Sequence, residues 1–341
     1  MTIRVDRFSG TDEEWDAFAV RQKGYTHFHQ ARWRTVMERV FGHDCAYLAA
    51  HDGVGELVGI LPLVRVRSAV FGHYLVSMPF VNCGGPLGTE AGIRALADEA
   101  VALAQRDNVK LLEMRSRVPL DIPLPVSHRK ITVLLDLPGT AELLFKRFDQ
   151  NLRRKIRKRQ KIGVTVSFGH QEVEPFFSVF AQNMRDLGTP THSLAFFREI
   201  AKQFPDDCWF ACAYLEGKPV AGGCGFTWGN EFEMTWASSL REFNQQAPNL
   251  LLYYACMERA IAEGLTQFNF GRCTPGAGTH RFKMQWGGHE EPLWWYDLAA
   301  SSDVTTPSPT DGAFRWGPHI WKRIPVSVAT RIGPSIVRYL P

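Results

Sequence analysis

The sequence lacks several features that would place it in a specialised class of protein. It contains no uninterrupted run of about 18 apolar residues, so it predicts no membrane-spanning helix. Residues 1–6 lack the basic-then-apolar order of a secretory signal, and we therefore expect a cytoplasmic protein. The seven cysteines are odd in number and include no Cys-x-x-Cys pair, which argues against a metal site or a disulfide framework.

Charge of one sign is also scarce over the chain as a whole. The net charge is only +4 for 341 residues, so a surface for an anionic partner must come from local clustering. The strongest cluster lies in residues 141–163, where an apolar residue recurs every fourth position, as in a helix, and lysine and arginine dominate the remaining positions. A solvated face is the alternative interpretation. One-signed charge favours an anionic partner, with Arg153 and Arg154 as candidate contacts.

The length suggests two domains of roughly 150 residues each. Both halves show the same order of elements, namely hairpin, strand, loop, helix and strand, which predicts an internal duplication of one α+β unit. A chance recurrence of common elements is the alternative. The domains predicted are residues 1–140, residues 141–300 opening with the basic helix, and a linker and tail at 301–341. The main predicted helices are 12–21, 31–41, 91–106, 173–187, 194–204 and 249–263, and the strands are 46–50, 57–66, 71–80, 111–114, 208–215, 220–228, 232–237 and 267–270.

Residues 271–287 form the segment around which the second half is organised. They follow a short strand, and Pro275, Gly276 and Gly278 predict a loop. The segment carries cations, hydroxyls and aromatic rings together, which suits an anionic, partly planar ligand. A tight surface turn whose aromatics pack inward is the alternative. The side chains concerned are Arg272, Thr274, Thr279, His280, Arg281, Phe282, Lys283 and Trp286.

Two further stretches bear on function. Asn183, Arg185 and His192 lie around the turn that ends the helix 173–187, and they would share one pocket rim if that turn faces the segment 271–287. Residues 301–311 read as a linker. Residues 316–340 mix apolar and basic side chains, and this tail would dock on the body of the protein or touch an anionic membrane surface.

These motifs resemble a known family. The duplicated unit resembles the GNAT acyltransferase fold, and its tandem form with a basic helix between the halves resembles the FemABX peptidyltransferases. The subgroup most similar is the FemAB-related proteins of exosortase and PEP-CTERM systems, which have a BioF2-like acetyltransferase domain. The resemblance rests on residues 151–158, 183–190, 236–244 and 271–287. It implies an α+β fold of tandem GNAT-like domains, each a mixed sheet flanked by helices.

The resemblance implies transfer of an acyl or aminoacyl group to an amine of a peptidoglycan or exopolysaccharide precursor. FemABX enzymes use aminoacyl-tRNA and carry a Phe-Lys pair, which Phe282 and Lys283 match, so Lys283 would hold a donor phosphate or steady the carbonyl. Acyl-CoA is the other implied co-substrate. The segment 241–249 contains no glycine to cradle pyrophosphate, which argues against CoA. The coiled-coil arm of some members is absent, and we expect no metal cofactor and no DNA partner.

Acyl transfer to an amine requires a base and oxyanion donors but no covalent nucleophile. Glu233 and His280 are the candidate bases, beside Lys283. Glu231 and Glu233 share one strand face, and an exposed charged pair is the alternative interpretation. A non-catalytic nucleic-acid- or polysaccharide-binding scaffold of an envelope system is the competing function. The predicted substrate-binding residues are Arg153, Arg154, Asn183, Arg185, His192, Trp236, Asn244, Arg272, Thr274, Gly276, Gly278, Thr279, Phe282 and Trp286.

Overall fold

The computed structural model describes residues 2–68, 70–300 and 317–340. The predicted linker 301–311 lies outside these residues. A 3₁₀ turn at His27–His29 precedes the helix at Arg32–Val36, and a π-helical turn at Met37–Phe41 extends that helix. The elements up to residue 130 are β1 (Arg4–Arg7), α1 (Asp12–Ala19), α2 (Arg32–Val36), β2 (Asp44–His51), β3 (Leu57–Ser68), β4 (Gly72–Ser77), β5 (Leu87–Gly88), α3 (Glu90–Arg106), β6 (Leu111–Ser116) and β7 (Val126–Ser127).

The later part of the chain adds 3₁₀ turns at His170–Glu172 and Arg241–Phe243. Its other elements are β8 (Ile131–Asp136), α4 (Ala141–Arg147), α5 (Gln150–Lys161), β9 (Thr165–Phe168), α6 (Val173–Leu187), α7 (Leu194–Gln203), β10 (Cys208–Leu215), β11 (Lys218–Trp228), β12 (Glu231–Ser239), α8 (Pro248–Ala262), β13 (Gln267–Cys273), α9 (Gly278–Met284), β14 (His289–Pro292), β15 (Trp294–Ala299), α10 (Gly317–Trp321) and α11 (Val326–Val337).

The first compact unit is built on a mixed sheet with the strand order β1-β2-β3-β4-β6-β15-β7, and β5 pairs with β3. Strands β4 and β6 run parallel, and α3 is the crossover that joins them. Thr89 caps α3 by accepting a hydrogen bond from the Gly92 amide at 3.1 Å. The apolar face of α3, including Leu96 and Leu103, packs on the sheet and forms the core of this unit.

The second unit has a mixed sheet with the order β14-β8-β13-β12-β11-β10-β9. Strands β12 and β13 run parallel and α8 joins them, as α3 joins β4 and β6. One face of this sheet packs on α8, with Phe232, Met234 and Phe268 in the shared core. The other face packs on α6, where Phe176 lies against Gly222 of β11. The predicted duplication of a mixed sheet flanked by helices is confirmed.

The corresponding strands β6 and β13 differ by a one-residue bulge. Glu113 and Arg115 of β6 lie opposite Asp297 and Trp295 of β15 in an uninterrupted ladder. In β13, two residues lie between Asn269 and Arg272, one more than between Glu113 and Arg115. The ladder between β13 and β8 shifts register at this point. Gly271 lies in this bulge with φ +69°, a conformation that glycine adopts without strain. Arg115 and Arg272 therefore occupy corresponding positions.

The compact units divide the chain differently from the predicted boundaries at 140 and 300. Of the described residues, the first unit contains those within 2–130, 292–300 and 338–340, and the second contains those within 131–291 and 317–337. Hydrogen bonding is the physical reason, because β8 pairs with β13 of the second sheet while β15 pairs with β6 of the first. Strand pairing between distant parts of the chain leaves no signal in local composition.

Two predicted segments differ from the structure. The continuous helix expected over residues 141–163 is two helices, because Phe148 is extended and the Asp149 side chain accepts a hydrogen bond from the Leu152 amide at 2.8 Å to start α5. The loop expected over residues 271–287 is largely ordered structure. Strand β13 continues to Cys273 and α9 begins at Gly278, after a turn that contains Pro275.

Candidate functional site

The parallel ladder between β12 and β13 is short. Its pairs extend from Glu231 and Gln267 to Glu233 and Asn269, whereas β12 continues to Ser239 and β13 to Cys273. The two strands therefore diverge beyond the last pair. Where neighbouring strands diverge, their backbone N–H and C=O groups lose the partners that the ladder would supply. A ligand can then form hydrogen bonds with the main chain there.

A buried carboxylate network lies where the ladder ends. Asn269 Nδ2 donates to Glu231 Oε1 at 2.7 Å and to Glu233 Oε2 at 3.3 Å. Asn269 Oδ1 accepts from Thr132 Oγ1 at 2.5 Å and from the Gly271 amide at 2.8 Å. Both glutamates are less than 5% exposed, so the exposed charged pair considered from the sequence is not what the fold forms. Hydrogen bonding of this kind is what makes a buried carboxylate tolerable.

A second bulge, in β12, turns Trp236 towards α7. Met234 and Trp236 pair with Gly225 and Cys224, so Thr235 is the extra residue on β12. The expected alternation, with Met234 and Trp236 sharing the core face, is therefore interrupted. Met234 packs in the core with α8, whereas the Trp236 ring lies 5.6 Å from the Phe197 ring of α7.

Lys283 is the buried cation of the site. Its Nζ donates to the carbonyls of Gly271 at 2.6 Å and Arg272 at 2.8 Å. Burial lowers the pKa of Lys283 to about 8, with Cys273 and then Glu233 acting in the opposite direction and Arg272 in the same one. Helix α9 thus tethers an amine to the bulged end of β13, close enough to feel the charge of Glu233.

His192 and Arg272 belong to the same neighbourhood. Burial, and then the charge of Arg272, lower the pKa of His192 to about 3, so its imidazole is neutral near pH 7. The ring lies 4.7 Å from Phe196 and 6.4 Å from Trp236. Asn183 Nδ2 donates to Ser238 Oγ near the end of β12 at 3.1 Å. The second unit therefore gathers the turn after α6, the end of β12 and the end of β13.

His280 has both ring nitrogens engaged. Nδ1 accepts a hydrogen bond from the Gly276 amide at 3.0 Å, and Nε2 lies 2.8 Å from Glu290 Oε1. An acceptor at Nδ1 leaves the proton on Nε2, which then donates to the carboxylate. These bonds tie His280, in the first turn of α9, to the turn before the helix, and they favour Glu233 over His280 as a base.

The remaining residues of the segment 271–287 separate into two groups. Thr274, Gly276, Gly278 and Thr279 are exposed. Phe282 and Trp286 pack inward, as the alternative interpretation of the sequence expected. The Phe282 ring lies 5.1 Å from Tyr253, and Trp286 is fully buried in the core beside Phe148. The Trp286 ring therefore forms part of the core of the second unit.

The basic face of α5 is an exposed stripe. A depression of about 550 Å³ runs along it. Arg159 points instead to the turn before α8, where its Nε donates to the carbonyl of Gln246 at 2.9 Å. The exposed Asn244 lies in that turn. The stripe is lined by Gln150, Arg153, Arg154, Arg157, Lys158 and Lys161.

Arg185 faces the tail rather than β13. It pairs with Asp186 at 2.7 Å, and its Nη1 donates to the Ile324 carbonyl at 3.2 Å. Sequence reasoning missed Thr132, Asn269 and Ser238. Asn269 had a detectable signal, because it is an amide between Phe268 and Phe270 in a buried strand, where polar groups need partners.

Within residues 2–68, 70–300 and 317–340, no group of three or more His, Cys, Asp or Glu side chains is arranged to hold a metal ion. None of the helices in this part of the chain has both the length and the apolar content needed to cross a bilayer.

Comparison with known proteins shows which domain family and fold the second unit resembles. Residues 146–284 match the family model of the acetyltransferase (GNAT) domain. No curated protein sequence matches the chain. FemX is 15% identical with a TM-score of 0.64, over 87% of this chain and 98% of its own.

Two other solved structures resemble the chain at a TM-score of 0.55. L-PGS from Bacillus licheniformis is 12% identical over 92% of this chain and 97% of its own. A tandem GNAT protein from the clavulanic acid biosynthesis pathway is 13% identical over 89% and 100%. At these identities the similarity is one of fold. The fold is a tandem GNAT fold, and the domain match makes the chain an acyltransferase.

Proposed function

We propose that the second unit transfers an acyl or aminoacyl group to an amine of a cell-envelope precursor, at the point where β12 and β13 diverge. The observation that carries the proposal is the position of Lys283, a buried amine held at the end of β13 and within the field of Glu233. The matched GNAT domain, residues 146–284, contains both strands and Lys283. Membership of the exosortase-associated subgroup and an exopolysaccharide acceptor rest on sequence motifs alone.

The residues divide the chemistry as follows. The acceptor nitrogen attacks the donor carbonyl carbon, and Glu233 takes the proton that this nitrogen loses as the C–N bond forms. An ammonium has three N–H donors, and two of those on Lys283 bond to Gly271 and Arg272. The third is available to the oxyanion of the tetrahedral intermediate. Asn269 holds the Glu233 carboxylate in place, and the leaving group departs with the proton.

The donor is the less constrained part of the proposal. An acyl-CoA is the co-substrate expected of a GNAT domain, but the turn between β12 and α8 has no glycine, and Pro248 at the first position of α8 has no amide hydrogen for a phosphate. The exposed stripe on α5 suits a polyanion. These two features favour aminoacyl-tRNA, with Arg153 and Arg154 as candidate RNA contacts.

The test is a transfer assay with both donors. The protein would be incubated with a nucleotide-linked peptidoglycan precursor and with either aminoacyl-tRNA or an acyl-CoA as donor. Mass spectrometry would then measure the change in mass of the acceptor. Lys283→Met should lower turnover by roughly 100-fold or more, as loss of an oxyanion donor does. Glu233→Gln should lower it by a similar factor. Exposed Lys218, changed to Met, is the matched control.

A non-catalytic polyanion-binding scaffold is the second candidate, and the α5 stripe is the observation that favours it. It predicts steeply salt-dependent RNA or polysaccharide binding without transfer from either donor. Full turnover in Lys283→Met would contradict the roles given above. Envelope polysaccharide from a deletion strain, compared by mass with wild type, would then identify any missing acyl group.

A further inference from the structure

Residues 317–337 of the tail are a docked part of the second unit. The backbone of Gly333 in α11 lies against Thr191, so closely that a Cβ at Gly333 would come 3.0 Å from the Thr191 amide nitrogen. Pro318 packs against Gly188 in the same way. Ala329, Gly333 and Val337 share the inward face of α11. The tail therefore presents a fixed outer surface.

That outer surface combines apolar side chains with cations. Val328 and Ile332 of α11 are 42% and 43% exposed, and Arg331 lies between them on the same helical face. Ile320 of α10 is 64% exposed and is followed closely by the exposed Lys322 and Arg323. Single exposed aliphatic side chains are common, but their grouping with cations on the two tail helices is typical of an interaction surface.

The charge of this segment identifies the partner. Residues 312–341 contain five arginines and lysines and no aspartate or glutamate: Arg315, Lys322, Arg323, Arg331 and Arg338. A nucleic acid would match the cations but leave Ile320, Val328 and Ile332 in water. The headgroup region of an anionic bilayer accepts both, because phosphates pair with cations while aliphatic side chains enter the acyl boundary.

We propose that the outer surface of α10 and α11, defined by Ile320, Lys322, Arg323, Val328, Arg331 and Ile332, docks on an anionic membrane. The inward face of the tail contacts residues 188 and 191, next to His192, so docking holds the turn beside the candidate site at the bilayer surface. An acceptor carried on a lipid reaches the site from that surface. The docking itself does not depend on the identity of donor or acceptor.

Vesicle co-flotation of the full chain tests the proposal. The probes are phosphatidylcholine vesicles with and without phosphatidylglycerol. Wild type should bind the anionic vesicles, and added salt should weaken the binding. The double variant Lys322→Gln with Arg323→Gln should bind roughly thirty-fold more weakly, as expected for two cations near the surface. Val328→Ser with Ile332→Ser should also weaken binding. All four side chains are exposed, so the fold should be kept, and thermal melting checks it.

Matched controls separate the tail from general surface properties. Lys202→Gln with Lys218→Gln removes two exposed cations elsewhere, and Val54→Ser with Val70→Ser removes two exposed valines. Both should bind like wild type. Binding of wild type to neither vesicle, or equal binding by the tail variants, would overturn the proposal. So would loss of binding on neutralising Arg154 and Arg157 of α5 while the tail variants bind normally, or binding to RNA but not to vesicles.

Discussion

Glu113 and Asn269 stand at the same place in the two sheets. Glu113 pairs with Val76 where the parallel ladder of β4 and β6 ends, and Asn269 pairs with Glu233 where that of β12 and β13 ends. In the first unit, Arg115 Nε donates to Glu113 at 2.6 Å. The loop after β4 then fills the space at the end of this ladder, because the amides of residues 84 and 85 both donate to the Arg115 carbonyl.

The second unit has different side chains at the end of its parallel ladder. Lys283 and the Glu231–Asn269–Glu233 network lie at the end of its ladder. A reacting acyl group needs room beside polar side chains, and the backbone of residues 84–85 takes up that position in the first unit. This contrast is the reason for assigning the proposed reaction to the second unit.

Lys283 should make stability depend on pH in a defined window. Its pKa is about 8 in the folded protein, whereas the ordinary value for a lysine in water is 10.5. Between these values the unfolded chain binds the proton that the folded chain has released, so stability rises with pH. Relative to Lys283→Met, wild type should gain roughly 3 kcal/mol from pH 8 to pH 10.5. Urea unfolding of both proteins across this range measures the difference, and a flat difference curve would contradict the burial of the amine.

Asn269→Asp should destabilise the second unit. The change keeps the shape but replaces the amide that donates to Glu231 and Glu233 with a third carboxylate. The expected loss at pH 7 is about 3 kcal/mol, because like charges meet in a buried place and two hydrogen bonds are lost. Asn230→Asp is the matched control, since Asn230 is exposed and donates only to Thr266 in the bonds of its side chain. Similar denaturation midpoints for both variants would argue against the network.

Asp297→Asn should change how the free energy of unfolding of the first unit depends on pH. Burial, and then the charge of Glu113, raise the pKa of Asp297 to about 6 from a usual value near 4. Between pH 4 and pH 6 the folded state holds a proton that the unfolded state has lost, so wild type loses stability as pH rises through this window. Relative to Asp297→Asn the loss should be about 1–3 kcal/mol. The exposed Asp98, changed to Asn, should leave the profile unchanged, and an unchanged profile in Asp297→Asn would refute the prediction.

Gly85→Ala should weaken the packing of residues 84–85 on β6 and so destabilise the first unit. A Cβ at Gly85 would come 2.8 Å from the Arg115 carbonyl oxygen, a backbone atom that cannot move aside cheaply. Overpacking of this kind costs about 1–3 kcal/mol. Gly139→Ala is the matched control, because no atom lies within 4 Å of its Cβ position. Thermal melting should separate the two variants, and equal melting temperatures would show that the backbone contact is relaxed in solution.

Much of the architecture followed from local patterns. The spacing of Leu144, Leu152 and Ile156 predicted which side of the basic segment is buried, and all three lie in the core. The hairpins and the crossover helices were predicted because turn residues and apolar periodicity are local properties. The exposed stripe containing Arg153 and Arg154 followed from the same helical spacing.

The site required the tertiary structure. Alternation along β12 showed that Glu231 and Glu233 share a face, but whether that face is buried depends on elements distant in sequence. The bulge at Thr235 places Trp236 on the face opposite Met234, and no local residue pattern predicted this bulge. Lys283 became a buried amine because α9 folds back on Gly271 and Arg272. Sequence by itself determined the main helices and central strands and their order. Long-range packing decided which charges are removed from water, since burial is a property of the neighbours that the folded chain supplies.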